Sequence, residues 1–243
     1  MSFSYSPKIV TDGLVLYLDA ANVRSYPTFG VTWSDLSRNT YTGLLTNGPT
    51  FTSDNLGSIL FDGIDDYVDF GTSGESEIRN SSTITISIAC YCTGYSNPSG
   101  GVSWAPLTCI DRYNLGYNYR KFSFYLLNNL GVESVVCEYF DGLGTTRSVT
   151  NVRDILNNFF ILTTTIDSSF TRLYVNGTKV DETTGITLNT NPLISDFTVG
   201  SRLNTSYNGY FKGNIFNFLC YNRALSETEV EQNYQSIKTR FGL

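Results

Sequence analysis

The stretch that decides the fold is Ile84–Cys92, which reads Ile-Thr-Ile-Ser-Ile-Ala-Cys-Tyr-Cys. Isoleucine or cysteine stands at every second position, and mostly small or polar residues stand between them. This alternation, with a period of two, predicts a half-buried β-strand that turns one apolar face to a core.

Further runs rich in Val, Ile, Phe, Tyr and Thr predict strands on both sides of this stretch. Turn pairs such as Asp62-Gly63 and Asn176-Gly177 separate the runs, and the second pair predicts a tight hairpin. Many short strands joined by turns are typical of an all-β antiparallel sandwich. The predicted strands are Leu14–Leu18, Ser58–Phe61, Tyr67–Phe70, Lys121–Leu127, Ser134–Phe140, Phe159–Ile166, Thr171–Val175, Phe197–Val199 and Ile215–Tyr221.

The C-terminus is the one segment whose pattern predicts an α-helix. Ser226 and Glu229 have the spacing of a capping box, in which the two residues satisfy each other's backbone amides. Apolar residues then recur at helical spacing and would lie on the sandwich. These residues are Val230, Tyr234, Ile237 and Phe241.

The length and composition favour one globular domain. The chain has 243 residues, of which 41% are hydrophobic and 14% aromatic, so it can form a core without a metal or a disulfide. No linker divides it. We expect an N-terminal arm over residues 1–12 and a single domain over residues 13–243.

Several classes of function are excluded by charge and by missing residue types. A net charge of −6 without a basic run argues against binding to nucleic acid or to an anionic membrane. The chain has no histidine, which removes His-based catalysis and His-ligated zinc. No apolar stretch approaches the roughly 20 residues that span a bilayer. The N-terminus lacks the features of a secretory signal, so we expect a protein that is made in the cytoplasm and not secreted.

The five cysteines are predicted to be reduced core thiols. Their odd number and the absence of a CxxC pair argue against a disulfide framework. They are Cys90, Cys92, Cys109, Cys137 and Cys220.

Several segments, in a specific order, carry a resemblance to a known family. They are Gly13–Ala20, Trp33–Ser37, Ser58–Val68, Leu173–Gly177, Phe197–Ser201, Gly209–Ile215 and Tyr221–Val230. The chain resembles the laminin-G-like, concanavalin-A-like jelly-roll family from about residue 9 to its C-terminus. The resemblance implies two antiparallel sheets packed face to face, with one C-terminal helix.

The resemblance also implies a function. Single-domain members that begin with runs like Gly13–Ala20 and Trp33–Ser37 resemble structural proteins of tailed bacteriophages. We therefore expect a non-enzymatic virion protein, used for capsid decoration or in a neck, tail or fibre. It would contact other virion proteins, form a homo-oligomer and assemble in the host cytoplasm. The alternative is a lectin-like, carbohydrate-binding module that attaches to glycans of the host surface.

An acidic turn gives one candidate site. Asp62, Asp65 and Asp66 offer carboxylate oxygens, which Ca²⁺ prefers as ligands, and members of the family often hold a structural calcium near the rim of the sandwich. The alternative interpretation is a solvated turn in which Asp62 caps a bend. No other cofactor is expected.

Aromatic residues in loops give the candidate binding surface, and they are densest in the tyrosine- and arginine-rich segment Asp111–Arg120. Aromatic rings with planar polar groups suit either a protein partner or a glycan, and the alternative is a loop packed on the core. The candidate residues are Arg112, Tyr113, Tyr117, Tyr119, Arg120, Tyr207 and Tyr210.

The N-terminal arm is the candidate assembly element. Phe3, Tyr5 and Pro7 suit an extended segment that pairs with a neighbouring subunit, and the alternative is a frayed terminus.

No arrangement of acids in the sequence matches a glycosidase. Retaining hydrolysis needs two carboxyl groups about 5–5.5 Å apart. Glu133 and Glu138 are five residues apart on a predicted strand, so they face opposite sides of it. We expect no enzymatic activity.

Overall fold

The computed structural model describes residues 7–71, 76–99, 101–111, 119–190, 195–203 and 209–243. In chain order the strands are β1 (Leu14–Asp19), β2 (Thr32–Ser34), β3 (Thr42–Thr46), β4 (Thr50–Thr52), β5 (Ser58–Asp62), β6 (Tyr67–Asp69), β7 (Ile84–Gly94), β8 (Ser96–Ser99), β9 (Val102–Asp111), β10 (Arg120–Asn129), β11 (Val132–Phe140), β12 (Thr146–Val152), β13 (Phe159–Ile166), β14 (Phe170–Val175), β15 (Thr178–Thr184), β16 (Phe197–Val199), β17 (Ser201–Arg202), β18 (Gly209–Tyr210) and β19 (Lys212–Tyr221). The helices are α1 (Ser76–Arg79) and α2 (Glu227–Ile237), with 3₁₀ turns at Asp54–Leu56 and Lys238–Phe241.

The strands form two antiparallel sheets that pack face to face, which confirms the predicted sandwich. Sheet A has the order β15-β14-β13-β7-β19-β5-β4, and β1 also pairs with β19. Sheet B has the order β12-β11-β10-β9-β16-β6-β3-β2, and β8 also pairs with β9. The strands β17 and β18 pair with each other and lie beside β9.

The predicted strand at Ile84–Cys92 becomes β7, in the interior of sheet A. Its isoleucines enter the core, but Thr85 and Ser87 on the opposite face are buried too. The Thr85 hydroxyl donates to the carbonyl oxygen of Arg223 (2.8 Å), and the Ser87 and Thr163 hydroxyls are hydrogen bonded (2.8 Å). The strand is therefore buried on both faces, because the C-terminal segment covers the outer face of sheet A.

The C-terminal helix follows the sequence prediction closely. Ser226 caps α2, accepting from the Glu229 amide, and the Glu229 carboxylate accepts from the Ser226 amide, which completes the capping box. Val230 packs with Tyr174 and Tyr221 of sheet A. The remaining predicted face, Tyr234, Ile237 and Phe241, packs with Phe159 and Phe216.

The N-terminal segment around Val10 is bound to this helix. The Val10 amide donates to Asn233 Oδ1 (2.8 Å), and the Tyr221 hydroxyl donates to the Val10 carbonyl oxygen (2.9 Å). Val10 is buried, whereas Pro7 and Lys8 are exposed. Residues from Ile9 onward therefore belong to the packed domain, and Phe3 and Tyr5 of the predicted arm lie outside the described residues.

The run Trp33–Ser37 has a structural role. Trp33 is fully buried. The Asp35 carboxylate accepts from the backbone amides of Tyr17 (2.8 Å) and Ser37 (2.7 Å), which fastens this turn to β1. All five cysteines are buried and free, as predicted.

Several elements of the structure, among them β9, β12 and the short helix α1, are absent from the elements predicted from the sequence. The strand β9 contains Pro106, which interrupts the alternation that marks a strand. The structure accommodates this proline at a register irregularity between β9 and β10, where a missing amide hydrogen is tolerated. A short helix, α1, forms at Ser76–Arg79, where the sequence pattern predicted no helix; four residues are too few for a helical period to be seen. Within the described ranges, no helix is long and apolar enough to cross a bilayer.

Candidate functional site

The acidic residues predicted as metal ligands lie together at one rim of the sandwich. Carboxylate oxygens of Asp62, Asp65 and Asp66 lie within 4.8 Å of one another, in the turn between β5 and β6. Asp62 and Asp65 are exposed and Asp66 is buried. Three carboxylates at this spacing fit the oxygen ligands that Ca²⁺ takes.

Local hydrogen bonds explain why the turn holds these three residues together. Asp62 Oδ1 accepts from the Ile64 amide (2.7 Å), and Asp66 Oδ2 accepts from the Asp62 amide (3.0 Å). Burial raises the pKa of Asp66, and the neighbouring carboxylates of Asp62 and Asp65 raise it further. Asp62 therefore caps the bend as the alternative interpretation predicted, and the calcium site stays a prediction.

Calorimetry with calcium separates the two interpretations of the acidic turn. A metal site predicts heat of binding and a higher melting temperature with millimolar Ca²⁺, and Asp65→Asn should reduce both. Asp141→Asn is the matched control, because Asp141 lies in the turn that follows β11, outside the group of three aspartates. A solvated turn predicts neither heat nor a shift.

Tyr67 directly follows this turn in the chain, and its ring lies near that of Tyr210 from β18, on the outer face of sheet B. Because Val68 is fully buried in the core, its neighbours Tyr67 and Asp69 face away from the core. The rings of Tyr67 and Tyr210 lie 6.4 Å apart between centroids, tilted by 42°. Both side chains are half-buried. We call Tyr67 and Tyr210 the tyrosine pair.

A backbone hydrogen bond holds Tyr210 in place, and two carboxylates act on Tyr67. The Tyr210 amide donates to Ser96 Oγ (2.8 Å), which holds β18 against β8. Burial raises the pKa of Tyr67, and the carboxylates of Asp69 and Asp196 add to the shift. The pair therefore offers two aromatic rings with carboxylate acceptors close by.

A cluster of charged side chains occupies the same face, where β9 ends at Asp111 and β10 begins at Arg120. Asp111 is completely buried and accepts from Arg120 Nε at Oδ1 (2.9 Å) and from Arg202 Nη2 at Oδ2 (2.6 Å). Glu138 lies 3.9 Å from Arg120 Nη2. The Arg120 guanidinium also stacks over the Phe140 ring, 3.5 Å from its centroid. We call Asp111, Arg120, Glu138 and Arg202 the charge cluster.

The charge cluster is part of the scaffold. Burial raises the pKa of Glu138, against the lowering effect of Arg202 and Arg120. The side chain of Arg120, which the sequence offered as a ligand contact, is only 8% exposed and is held by Asp111 and Phe140. Its place in the structure is to join β9, β10 and β11.

The predicted binding residues divide between these two places. Tyr210 lies in the tyrosine pair and Arg120 in the charge cluster. Tyr119 lies just before β10, and its carbonyl oxygen accepts a hydrogen bond from the Ser195 hydroxyl. The other four predicted residues lie outside the described residues: Arg112, Tyr113, Tyr117 and Tyr207.

Sequence reasoning missed Tyr67, Asp111, Glu138 and Arg202 as members of these groups. For Tyr67 a signal was present, because Tyr67 and Asp69 flank the apolar Val68 in a short strand pattern. For the charge cluster no signal existed, since Asp111 and Arg202 are brought together by a contact across 91 residues.

Several solved structures that match this chain are binding domains. The binding domain of paraclostridial mosquitocidal protein 1 aligns with 91% of this chain at a TM-score of 0.67 and 18% identity. The binding domain of botulinum neurotoxin DC, in complex with rat synaptotagmin II, aligns with 94% at a TM-score of 0.65 and 14% identity. This chain spans only 52% of the length of either toxin domain.

A third structure matches over its whole length. It is domain 4 of AbnA, an extracellular arabinanase from Geobacillus stearothermophilus, in complex with arabinotriose. It aligns with 93% of this chain and 100% of that one, at a TM-score of 0.64 and 12% identity. At these identities the likeness establishes the fold alone.

A family model identifies the chain more directly. None of the curated protein sequences matches this one. Residues 62–231 match the model of the concanavalin A-like lectin/glucanases superfamily, which covers well over half of the chain and confirms the resemblance drawn from the sequence. The chain therefore belongs to the concanavalin A-like lectin/glucanases superfamily.

Proposed function

We propose that the chain is a non-catalytic binding module for an uncharged glycan, and that the tyrosine pair is its site. The observation that carries the proposal is the pairing of Tyr67 and Tyr210, half-buried rings 6.4 Å apart on the outer face of sheet B.

The chemistry of the pair suits a sugar. Aromatic rings bury large apolar areas at little entropic cost, and the C–H faces of a sugar ring are apolar. The carboxylates of Asp69 and Asp196, which lie near Tyr67, can accept hydrogen bonds from sugar hydroxyls. The same carboxylates repel uronic and sialic acids, and a net charge of −6 adds to that repulsion. An uncharged glycan is therefore the ligand class that fits.

Two lines of support favour binding over catalysis. The arabinanase domain that matches this chain over its full length is described in complex with a trisaccharide. On the outer face of sheet B, Asp111 is buried between two arginines, and Arg120 lies between Asp111 and Glu138. Acids held in this way do not flank an open path for a glycosidic bond.

A glycan array followed by calorimetry tests the proposal. The wild-type chain is expected to bind uncharged oligosaccharides in preference to sialylated or uronic ones. Tyr67→Ala and Tyr210→Ala should each weaken binding by about tenfold or more, because each removes one ring of the pair.

The matched control is Phe170→Ala, which removes a partly exposed ring from β14 in sheet A. That variant should bind as the wild type does. Silence across the array, or equal affinity in the two tyrosine variants and the wild type, would refute the proposal.

The setting that the sequence resemblance implies, a tailed-phage virion, is a second proposal. It rests on the runs Gly13–Ala20 and Trp33–Ser37 alone. In that setting the module attaches a particle to host glycans or decorates it through contacts with other virion proteins. Sedimentation of the chain with intact particles at a fixed copy number is expected, and its absence from purified particles would rule the setting out.

A further inference from the structure

The C-terminal segment leaves part of the outer face of sheet A uncovered, and a row of side chains lies open there. The row crosses five neighbouring strands in one continuous register, from β13 through β7, β19 and β5 to β4. Its members, each paired with the next, are Phe159, Tyr91, Asn214, Leu60 and Thr50. We call these five residues the sheet A row.

The sheet A row points away from the core. The residues on either side of Tyr91 and of Leu60 are buried in the core, and side chains alternate between the two faces of a strand. These core neighbours are Cys90, Cys92, Ile59 and Phe61. Leu60 is 37% exposed and Thr50 is exposed, while the other three members of the row are half-buried. The row is therefore open to a ligand from solvent.

Two aromatic rings at one end of the row form a preassembled surface. The rings of Tyr91 and Phe159 lie 4.7 Å apart between centroids, tilted by 43°. Phe159 also packs against Phe216 at 5.7 Å and against Phe241 at 5.8 Å. Rings that are held in place before binding lose little conformational entropy when a ligand arrives, and this favours affinity.

Polar groups without partners lie beside these rings. Asn214 Nδ2 donates to Ser58 Oγ (2.9 Å), and in the part of the chain that the structure describes no donor reaches Asn214 Oδ1. The Tyr91 hydroxyl has no hydrogen-bond partner among the same residues. A carbonyl acceptor and a hydroxyl therefore stand next to two apolar rings. A sugar, with apolar C–H faces and hydroxyl groups at its edges, makes use of both kinds of group.

The sheet A row itself carries no charged side chain. Two positions further along β19 and β5 stand Lys212 and Asp62, which are paired in register and exposed, and whose charges are opposite. In the C-terminal segment, Arg240 is bound to Asp19, and Lys238 lies over an aromatic ring of α2. Charges of both signs thus stand around an uncharged row, so an uncharged ligand fits it best.

We infer that the sheet A row is a second site for an uncharged glycan, on the face of the sandwich opposite to the tyrosine pair. The inference rests on the proposed function, since it takes the same class of ligand. Four strand spacings of about 4.8 Å make the row about 19 Å long, and it is only one residue wide, which suits an oligosaccharide. A standard protein interface needs roughly 800 Å² per partner, far more than this row offers, so size favours a glycan over a second copy of the chain.

Two sites on opposite faces make a single chain a cross-linker of glycans. Each face binds its own oligosaccharide, so a monomer joins two glycan-coated surfaces. On a surface that carries many glycans, engagement of more than one site raises the overall affinity without any new contact.

Calorimetry with the uncharged oligosaccharide selected on the array, and agglutination of beads coated with it, test the inference. The wild type should bind two ligands per chain and agglutinate the beads. Tyr91→Ala should weaken one of the two binding events by about tenfold or more, because it removes one ring of the row, and should abolish agglutination. Tyr67→Ala should weaken the other binding event and abolish agglutination as well.

Phe170→Ala is the matched control, because it removes a partly exposed ring elsewhere in sheet A. It should keep both binding events and the agglutination. Leu60→Ala, at the other end of the row, should weaken the same event as Tyr91→Ala. This second variant keeps the inference testable if Tyr91→Ala does not fold.

The outcomes separate this inference from the proposed function. A single binding event that Tyr67→Ala removes and Tyr91→Ala keeps would overturn the inference and leave the tyrosine pair in place. A single event that only Tyr91→Ala removes would support the row and refute the tyrosine pair. Silence with every glycan would overturn both. A concentration-dependent dimer that Tyr91→Ala dissociates would identify the row as a protein interface and overturn the inference.

Discussion

Asp111→Ala is expected to lower the free energy of unfolding by about 3–5 kcal/mol, the usual cost of removing one partner of a buried ion pair. Asp111 is completely buried and takes hydrogen bonds from two guanidinium groups, those of Arg120 and Arg202. Removing the carboxylate leaves both cations without their shared anion, and the side chain of Arg120 is only 8% exposed. Glu138 lies 3.9 Å from Arg120 Nη2, a longer contact than the 2.9 Å bond from Arg120 Nε to Asp111.

Urea unfolding at neutral pH measures this effect. Glu182→Ala is the matched control, since Glu182 pairs with Arg172 and Lys179 on the surface, where solvent screens such pairs. The control should have nearly the wild-type midpoint. If Asp111→Ala costs no more than Glu182→Ala, the charge cluster does not hold the sheet together.

The charge cluster also shows why the sequence could not tell that Arg120 belongs to the scaffold. Arg120 belongs to a tyrosine- and arginine-rich segment, and composition alone offered it as a ligand contact. Its true partners depend on the β9–β10 register, which places Asp111 opposite Arg120. Since β9 contains Pro106 and lacks a clear alternation, that register could not be predicted.

The fold was accessible from the sequence because its strands bury apolar side chains at a period of two. The runs at Ile84–Cys92 and Phe159–Ile166 predicted β7 and β13, and these strands lie next to each other in sheet A. The capping box of α2 was equally clear, because it depends on two residues three positions apart. Short strands such as β17 and β18 have two residues each, too few for any period.

The tyrosine pair also could not be predicted from local sequence patterns. Tyr210 was singled out as an aromatic residue in a loop, but Tyr67 was read only as part of a strand. The two residues are 143 positions apart in the chain. Their rings meet because β18 lies on the outer face of sheet B, to which β6 belongs. Local patterns give elements, and only the packing of elements gives pairs of this kind.

Lys121 carries the second large effect. It is fully buried in β10, and its Nζ donates to the carbonyl oxygens of Arg79 (3.1 Å), Ser81 (2.6 Å) and Asn189 (2.7 Å). These three bonds join β10 to the segment before β7 and to the segment before β16. Lys121→Met should cost roughly 2–4 kcal/mol near neutral pH, because three buried carbonyl oxygens lose their donor.

Burial also makes Lys121 a source of pH dependence. It lowers the pKa of this amine from 10.5 to about 7, and the positive charge of Arg79 contributes in the same direction. Between the folded and the unfolded pKa, the unfolded chain therefore binds more protons than the folded one. The free energy of unfolding consequently rises with pH from about 7, by up to roughly 1 kcal/mol per pH unit from this group.

The buried cysteines limit the window in which this rise is visible. Burial raises the pKa of all five thiols above 9, so folded thiols keep protons that unfolded thiols lose as the pH rises. Their effect on stability has the opposite sign and begins at about pH 8, because five thiols titrate together in the unfolded chain. The net stability should therefore rise from about pH 7 and pass through a maximum between about pH 8 and pH 8.5, where the five unfolded thiols together lose about one proton and balance the single lysine.

Urea unfolding at intervals between pH 6 and pH 9 tests this linkage. The wild type should become more stable between about pH 7 and about pH 8 and less stable again towards pH 9, and Lys121→Met should remove the rise, because methionine does not titrate. Lys179→Met, at an exposed ion pair with Glu227, is the matched control and should keep the wild-type slope. A wild-type stability that is flat or falls between about pH 7 and about pH 8 would mean that Lys121 keeps its proton in the folded state, and that its three carbonyl partners hold the charge against burial.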